Sequence, residues 1–252
     1  MYINTTGLVL RETAYKDSSK ILTVLTEGEG KLTVTARGAL RRNSKLAAVT
    51  QLLVFSEMTL LSSRDRWTLT EARSVEQFIG LRDDIALLAL GSYFAELTEA
   101  VADEDSPNPE LLPLCLNALF ALSEGIKQPA FVKPAFELRL MAVSGFAPIV
   151  MHCTKCRREE LDRAFLDNAG GTICCGDCAR TGDAALDRGA LSAMRYIISC
   201  NPKKLFSFSL GDDSLGELYS AAEGYLLAHL DRRFRTLEYY KRIDCSAPPQ
   251  IR

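Results

Sequence analysis

The stretch from Cys153 to Cys178 reads CTKCRREELDRAFLDNAGGTICCGDC and holds five of the chain's eight cysteines. It begins and ends with a Cys-x-x-Cys pair, and residues 157–174 separate the two pairs. Each pair makes a tight turn that directs two thiolates at one ion, and two pairs at this separation are typical of a zinc ribbon. Gly170-Gly171 supplies the positive φ of a hairpin turn, so the second pair can fold back onto the first. We therefore predict one structural zinc ion with four protein ligands, Cys153, Cys156, Cys175 and Cys178.

Alternative ligands exist within this stretch and beside it. Cys174 could replace Cys175 in a Cys-x-x-x-Cys pair, although Cys175 gives the commoner spacing. His152 is a further candidate, but a position beside the ligands or facing solvent fits it better. The remaining cysteines are isolated in the sequence, and isolated free cysteines usually pack as small buried hydrophobes. They are Cys115, Cys200 and Cys245.

Composition restricts the class of protein. The chain has 252 residues, of which 47% are hydrophobic, so it can bury a substantial core and is long enough for more than one domain. The N-terminus has no basic flank before an apolar run, and no segment approaches the roughly eighteen uninterrupted apolar residues of a membrane span. We expect a cytoplasmic protein with no membrane partner. Disulfides rarely persist in that compartment, which favours metal binding for clustered cysteines.

Common catalytic motifs are missing from the sequence. The two histidines, His152 and His229, fit neither His-Glu-x-x-His nor His-x-Glu. A zinc ion with four protein ligands has no open position at which to activate water. The sequence also has no P-loop, no Gly-x-Gly-x-x-Gly after a strand and no Gly-x-Ser-x-Gly. We predict that the protein is not an enzyme.

The secondary-structure signals change at about residue 80. Residues 1–80 contain five short β-rich runs, with a turn at residues 27–30, and they predict a small β-barrel. From Asp83 onward apolar residues recur at helical spacing, with Asp83 or Asp84 as the cap. Further helices are predicted over 110–123, 130–143 and 188–199.

A longer helix is predicted near the C-terminus, where Ser214-x-x-Glu217 gives a capping box for a helix that runs to about Leu237. The cysteine-rich module thus interrupts a helical region. We predict a barrel domain over 1–80, a helical domain over 81–150 and 183–240, a zinc module over 151–182 and a tail over 241–252.

Charge is distributed unevenly although the formal net charge is only -2. Residues 31–50 contain basic but no acidic side chains, whereas residues 83–110 contain acidic but no basic ones. We expect the acidic run to be solvated surface. Small β-barrels bind single strands with a basic groove and aromatic stacking platforms, so the basic run predicts a nucleic-acid surface. The predicted residues are Lys31, Arg37, Arg41, Arg42 and Lys45, with Arg11 and Lys20 reinforcing the field.

Each part of this surface has an alternative. Arg41 and Arg42 could be mobile residues that serve only solubility. Among the aromatic side chains of the barrel, Tyr15 is a candidate platform, whereas core packing is favoured for Phe55 and Trp67. A second basic cluster near the C-terminus is the next candidate surface, and it comprises Arg232, Arg233, Arg235, Lys241 and Arg242.

The order of motifs resembles a known family. Residues 7–46, GLVLRETAYKDSSKILTVLTEGEGKLTVTARGALRRNSKL, resemble the opening of the bacterial DNA repair and recombination protein family RecO. The matching features are a Gly-x-Val-Leu strand, a tyrosine-containing loop, a Thr-x-x-x-Gly-Lys hairpin and the segment GALRRNSKL. Further along, FELRLMAVSGFAP and GGTICCGDCA are similar to that family's last helix before the zinc module and to the module itself. The second cysteine in CCGDC departs from the family's usual single cysteine.

This resemblance implies an α+β multidomain fold, in which an N-terminal OB-fold barrel precedes an α-helical domain with an inserted four-cysteine zinc module. It implies a recombination mediator that binds single- and double-stranded DNA and anneals strands coated by single-strand-binding protein. It further implies cooperation with RecR in loading RecA, and a place at the nucleoid. The acidic, apolar-ended tail of single-strand-binding protein would need a basic side chain beside an apolar groove. Arg139, among Phe136, Leu140 and Val143, is our candidate, and a solvent-facing arginine is the alternative.

Two other functions remain open from the residues alone. The same barrel and ribbon could form a scaffold that binds structured RNA or proteins. Alternatively, Cys153 and Cys156 could act as the redox pair of a thiol oxidoreductase.

Overall fold

The computed structural model describes residues 1–63, 66–104 and 106–244, and the chain divides into two compact units. The first unit contains residues 1–124 and 236–240, and the second contains the rest. This division places the first two helices with the barrel, whereas the predicted boundary lies at residue 80. The predicted domain boundaries therefore stay a prediction. Cys245 and most of the predicted tail lie outside the described residues.

The first unit contains a closed five-stranded barrel. Its strands are β1 (Tyr2–Tyr15), β2 (Ser19–Thr26), β3 (Gly30–Ala36), β4 (Phe55–Ser63) and β5 (Arg66–Glu76). Their order around the barrel is β1-β2-β3-β5-β4, with β1 also paired to β4 and with β3 parallel to β5. Five strands with this Greek-key order form an OB-like barrel, which confirms the predicted fold class.

Alternating side chains fill the barrel. Along β3, Leu32, Val34 and Ala36 are fully buried, as expected for a strand with one face toward a core. Gly7 is required where β1 passes β2, because a Cβ there would lie 2.6 Å from the Val24 side chain. The register of β1 against β2 shifts once along the strand, and such a bulge lets a long strand bend around a barrel.

Two helices follow the barrel in the first unit: α1 (Ile85–Val101) and α2 (Leu111–Ser123). The Asp84 carboxylate caps α1 by accepting from the backbone N–H groups of Ala86 and Leu87, as the sequence predicted. The acidic run is not all solvated surface. Glu96 on α1 accepts a hydrogen bond from the backbone N–H of Thr236, and Glu99 forms an ion pair with Arg11 of β1.

The second unit combines helices with a small antiparallel sheet. The helices are α3 (Pro129–Val143), α4 (Arg188–Ser199) and α5 (Asp212–Leu230), and they pack against one another. The strands β6 (Arg163–Asp167), β7 (Thr172–Cys175) and β8 (Ala184–Asp187) pair in the order β7-β6-β8. The bounds of α3 and α4 match their predictions to within one residue. No helix among the described residues has the length and apolar character needed to cross a bilayer.

The predicted long C-terminal helix is wrong in two respects. The observed helix, α5, starts at Asp212 with Gly211 as its N-cap, so Ser214 and Glu217 do not form a capping box. It also ends at Leu230, because Asp231 adopts the left-handed conformation with φ 42°, and a separate helix, α6 (Arg235–Ile243), follows. Aspartate tolerates this conformation better than most residues, so the break left only a weak signal in the sequence.

Candidate metal centre and nucleic-acid surface

The first cysteine pair lies in a tight turn before β6. The backbone N–H of Arg157 donates to the Cys153 carbonyl at 2.9 Å, and Arg157 has a positive φ of 66°. The N–H of Cys156 lies 3.5 Å from the Cys153 sulfur. The turn therefore directs backbone N–H groups, as well as two thiols, toward one point.

The second pair follows from the hairpin. Cys175 ends β7 opposite Ala164 of β6, and the N–H of Cys178 donates to the Cys175 carbonyl at 3.0 Å. The turn between β6 and β7 includes Gly171 with φ 63°, as predicted for the glycine pair. This hairpin returns the second cysteine pair to the first.

Four cysteine sulfurs converge at this point. Those of Cys153, Cys156, Cys175 and Cys178 all lie within 4.8 Å of one another. The Cys156 and Cys175 sulfurs are 3.7 Å apart, far beyond the disulfide bond length of about 2.05 Å. A tetrahedral zinc ion with Zn–S bonds of about 2.3 Å would separate its sulfur ligands by roughly 3.8 Å. The arrangement can hold a metal ion that prefers four thiolates.

Nearby backbone N–H groups stabilise the thiolate form of Cys153. Burial alone would raise the pKa of the Cys153 thiol, but the backbone N–H groups of Cys156, Cys175 and Lys155 outweigh it and lower that pKa to about 5. The hydrogen bond with the Cys175 side chain raises the pKa of Cys178 to about 12. Four neighbouring thiols cannot all ionise unless a cation offsets their mutual repulsion, so the cluster is suited to bind a metal.

The two alternative ligands lie apart from this cluster. Successive residues of a strand point to opposite faces, and the buried Cys174 sulfur lies 3.8 Å from the Thr154 hydroxyl. The His152 Nε2 atom lies 2.8 Å from an Arg157 guanidinium nitrogen. The structure therefore groups Cys175, not Cys174 or His152, with the other three predicted ligands.

The third strand of the sheet was not predicted, and it leads into α4. Asp187, at the end of β8, accepts from the N–H of Ala190 and from the Ser214 hydroxyl at 2.6 Å. Burial opposes ionisation of Asp187, but the N–H of Ala190 and the Ser214 hydroxyl outweigh it and lower the carboxyl pKa. Ser214 was predicted to cap its own helix, α5. It instead hydrogen-bonds to Asp187, the N-cap residue of α4.

The basic run after β3 is exposed. Arg37, Arg41, Arg42 and Lys45 are exposed and form no ion pair with a described residue. Their loop is anchored where the N–H of Leu40 donates to the Ser18 carbonyl at 2.9 Å. The structure therefore presents four of the seven predicted cations to solvent from one anchored loop.

The other three predicted cations have partners within the first unit. Lys31 donates through Nζ to the Glu99 carbonyl at 3.0 Å, and Arg11 pairs with the Glu99 carboxylate at 2.8 Å. Lys20 forms an ion pair with Glu12, and only 11% of its side chain is exposed. These contacts leave Lys31, Arg11 and Lys20 less able to reach a phosphate, and their DNA contacts stay a prediction.

The structure also assembles a groove that the sequence analysis missed. It lies between the β1–β2 and β4–β5 hairpins, has a volume of about 590 Å³ and includes the cations of Lys16, Arg37 and Arg66. Tyr15 lines it with an exposed ring. Lys16 and Arg66 lie far apart in the sequence, each next to an aspartate, so no run of basic residues marked them. Trp67, in contrast, packs against the barrel core.

Arg139, predicted to bind a partner's tail, lies on the buried side of α3. It is 9% exposed, and its guanidinium donates to the Ile198 carbonyl at 2.7 Å. It thereby satisfies a carbonyl that the C-terminal turn of α4 leaves open. Arg139 is therefore not the solvent-facing arginine of the alternative, and the predicted tail contact stays a prediction.

The C-terminal basic cluster is largely exposed. Arg232 and Arg233 precede α6, and Arg235 and Arg242 lie within it, all with exposed side chains. Lys241 differs, because it forms an ion pair with Glu223 of α5.

Comparison with known proteins gives consistent matches along the chain. The family model described as Recombination protein O N terminal matches residues 1–78, and the one described as Recombination protein O C terminal matches residues 82–238. Among curated relatives, the DNA repair protein RecO of Acetivibrio thermocellus is 31% identical over 96% of this chain and 98% of its own length. The protein of that name from Caldicellulosiruptor bescii is also 31% identical, with the same coverage. A third, from Symbiobacterium thermophilum, is 31% identical over 94% of this chain and 95% of its own.

Proposed function

The chain belongs to the RecO family of DNA repair and recombination proteins, and we propose that it acts in recombination as a mediator that binds DNA and anneals complementary strands. Single- and double-stranded DNA are the proposed ligands, and strands coated by single-strand-binding protein are the proposed substrates of annealing. The proposed partners are RecR, the tail of single-strand-binding protein and, indirectly, RecA. We place the protein in the cytoplasm, at the nucleoid, and assign it no catalytic turnover.

The exposed basic loop of the barrel carries this proposal. Annealing requires that two strands be held with their phosphates neutralised and their bases accessible, and phosphate contacts achieve this without reading sequence. Arg37, Arg41, Arg42 and Lys45 are available for such contacts because no described acidic side chain pairs with them.

We propose zinc as the metal of the cysteine cluster. Cys153, Cys156, Cys175 and Cys178 would complete its coordination, and the ion would hold the turn and the hairpin together. This assignment argues against the oxidoreductase alternative, because sulfurs committed to zinc are not free for thiol exchange. About one zinc per chain, with these four thiols protected from alkylation until a chelator is added, is the expected result. Rapid alkylation of Cys153 and Cys156 in the zinc-loaded protein would favour the redox function.

Replacing Arg41 and Arg42 with alanine should weaken DNA binding and flatten its salt dependence. If about four cations contact a single strand, the plot of log affinity against log salt has a slope near -3, and losing two contacts should reduce the slope by roughly 1.4. Affinity for unrelated sequences should fall about equally, and annealing of complementary strands should slow. Fluorescence anisotropy over a salt series measures the first two effects.

The control for this experiment removes two exposed arginines from other surfaces. Arg73 lies on β5 away from the loop, and Arg188 begins α4. Their double alanine variant should keep the wild-type affinity and slope, and both double variants should keep the wild-type melting temperature. If the loop variant binds as the wild type does, the loop is not the DNA surface, and the C-terminal cluster becomes the next candidate. If the wild type binds structured RNA or proteins but not single strands, the scaffold function is favoured.

Arg139→Ala distinguishes a tail contact from a structural role. The lost bond to the Ile198 carbonyl should lower the free energy of unfolding by about 1–2 kcal/mol, because the partly buried carbonyl loses its donor. Denaturant unfolding measures this change, and anisotropy with a labelled tail peptide measures binding. Unchanged peptide affinity in the folded variant would remove Arg139 as a tail ligand.

A further inference from the structure

We propose that Arg158, assisted by Lys155, is a positioning residue for the metal, because the two cations join the two cysteine pairs and offset the negative charge of the thiolates. This inference rests on the proposed zinc site and deepens it, since it assigns retention of the metal to side chains that are not ligands. We call Arg158 and Lys155 together the cationic clamp.

The four-cysteine site has a charge that its ligands cannot balance. Four thiolates carry four negative charges and a zinc ion carries two positive ones, so two negative charges remain when the site is filled. The Cys153 sulfur is buried among backbone N–H groups, whereas Cys156 is exposed. Cations beside the sulfurs reduce the repulsion among the thiolates and favour the ionised thiols that a metal ion needs.

Arg158 links the first cysteine pair to the second. Its carbonyl accepts from the N–H of Cys153 at 2.8 Å, which fixes its backbone to the turn of the first pair. Its guanidinium forms an ion pair at 3.2 Å with the carboxylate of Asp177, which lies between the two cysteines of the second pair. Arg158 therefore contacts both turns that supply the ligands.

The charge of Arg158 also acts on the sulfur atoms. Attraction by the Cys175 thiolate, the Asp177 carboxylate and the Cys156 thiolate, with the largest effect first, raises the pKa of the Arg158 guanidinium. One proposed ligand from each pair is thus close enough to interact with this cation. Arginine keeps its charge in proteins at ordinary pH, so the thiolates experience a fixed positive charge.

Lys155 makes a second contact between the two pairs. It lies between the cysteines of the first pair, and its ammonium group donates to the carbonyl of Cys178 in the second. Lys155 and Asp177 occupy the same position in their Cys-x-x-Cys pairs, directly before the last cysteine. Each pair therefore contacts the turn of the other through the side chain at this position.

The neighbouring Arg157 has a different contact. It is exposed, as Arg158 is, but one of its guanidinium nitrogens lies 2.8 Å from the His152 Nε2 atom. The two arginines carry the same charge on adjacent residues. Arg157 is therefore a matched control for Arg158.

The test measures the rate at which zinc leaves the full-length, zinc-loaded protein. Excess pyridylazoresorcinol, a chromophoric chelator, captures the released ion at concentrations where the rate no longer depends on the chelator. Because 57% of the Arg158 side chain is exposed, solvent screens its charge, and Arg158→Gln should release zinc about two- to fivefold faster than the wild type at low salt. Lys155→Gln should act in the same direction. Arg158→Lys, which keeps the charge, should restore most of the wild-type rate, and Arg157→Gln should leave it unchanged.

Two further measurements separate an effect of charge from a purely structural link. The acceleration in Arg158→Gln should largely disappear at about 1 M salt, where the Debye length is about 3 Å. Asp177→Asn keeps an acceptor for the guanidinium but removes a negative charge near the sulfurs, so zinc should leave this variant no faster than the wild type. A link that only holds two turns together would give equal acceleration in both variants and at every salt concentration, and this result would overturn the inference.

The remaining outcomes separate this inference from the proposed function. If Arg158→Gln releases zinc at the wild-type rate, or if Arg157→Gln accelerates release as much, the positioning role is wrong while the zinc assignment stands. If Arg158→Gln cannot be loaded with zinc, loading of Arg158→Lys supports the role of the charge, and failure of both variants contradicts it. If the wild type itself holds no zinc after loading, the zinc assignment is wrong, and this inference falls with it.

Discussion

Cys153→Ser and Cys178→Ser are each expected to lose the zinc ion and to unfold the module that β6 and β7 form. Structural zinc in finger peptides contributes about 10–16 kcal/mol of apparent binding free energy, and this energy is folding energy. Removing one thiolate removes a large part of it. Zinc content measured by atomic emission, together with thermal unfolding, should show both losses. Binding of single strands should persist, because the basic loop lies in the other unit.

Cys174→Ser is the matched control, since it changes a cysteine next to a proposed ligand. Cys174 is buried on the other side of β7, beside the Thr154 hydroxyl, so its replacement by serine should hardly change the zinc content. About one zinc per chain is expected in this variant. Zinc loss in Cys174→Ser with retention in Cys175→Ser would reverse the ligand assignment and contradict the geometry of the cluster.

The sequence predicted the parts of the fold that depend on local signals. The cap at Asp84, the glycine turn before Thr172 and both ends of α4 were all readable from neighbouring residues. The four proposed ligands were readable for the same reason, because two tight turns fix most of the cluster's geometry. The strand pairing that closes the predicted barrel was not readable, since the parallel pairing of β3 with β5 joins residues more than thirty apart.

Long-range partners account for most of what the sequence missed. Ser214 satisfies the spacing of a capping box, but the nearby Asp187 carboxylate offers it a better partner. Arg139 has the spacing of a surface residue on an amphipathic helix, but in the fold the end of α4 contacts it. The groove that Tyr15, Lys16 and Arg66 line draws its described lining residues from all five barrel strands and from the segments beside them. A sequence pattern records which groups are present and how they are spaced, whereas these roles depend on which segments meet.

Lys133 is the clearest example, and its loss should be the largest destabilisation outside the metal site. Lys133 and Glu137 have the i, i+4 spacing of an ordinary surface pair, yet both are fully buried, 2.8 Å apart. Glu223 of α5 lies 2.9 Å from the same ammonium group, and the Tyr219 ring centre lies 4.1 Å away. Removing one partner of a buried ion pair costs about 3–5 kcal/mol, because the other charge stays buried without compensation.

Lys133→Met should therefore lower the free energy of unfolding by that amount, measured by urea denaturation. The matched control is Lys241→Met, which removes a more exposed partner of the same Glu223 carboxylate and should cost about 1 kcal/mol or less. Adding Glu137→Leu to Lys133→Met should recover part of the loss, since a neutral interior no longer holds that uncompensated charge. Equal stabilities of the two lysine variants would contradict the central role of Lys133.

The pH dependence of stability provides an independent test of this network. Burial opposes ionisation of Glu223, but the charge of Lys133 outweighs it and holds the carboxyl pKa below its usual value. The unfolded chain then binds the extra proton, so this stabilisation is present above the ordinary glutamate pKa of about 4.3 and is lost as pH falls through the lower folded value. Burial also disfavours charge on Lys133, yet Glu137 and Glu223 raise its pKa, so its contribution is lost only as pH rises through that raised value. In Lys133→Met the Glu223 carboxylate loses this buried cation and its pKa rises, so protonation of Glu223 at low pH relieves the uncompensated charge, and the deficit in stability relative to the wild type should shrink as pH falls. Urea midpoints measured between pH 4 and pH 8 should show the two proteins converging toward low pH, and a deficit that does not change with pH would mean that Lys133 does not hold Glu223 in its charged form.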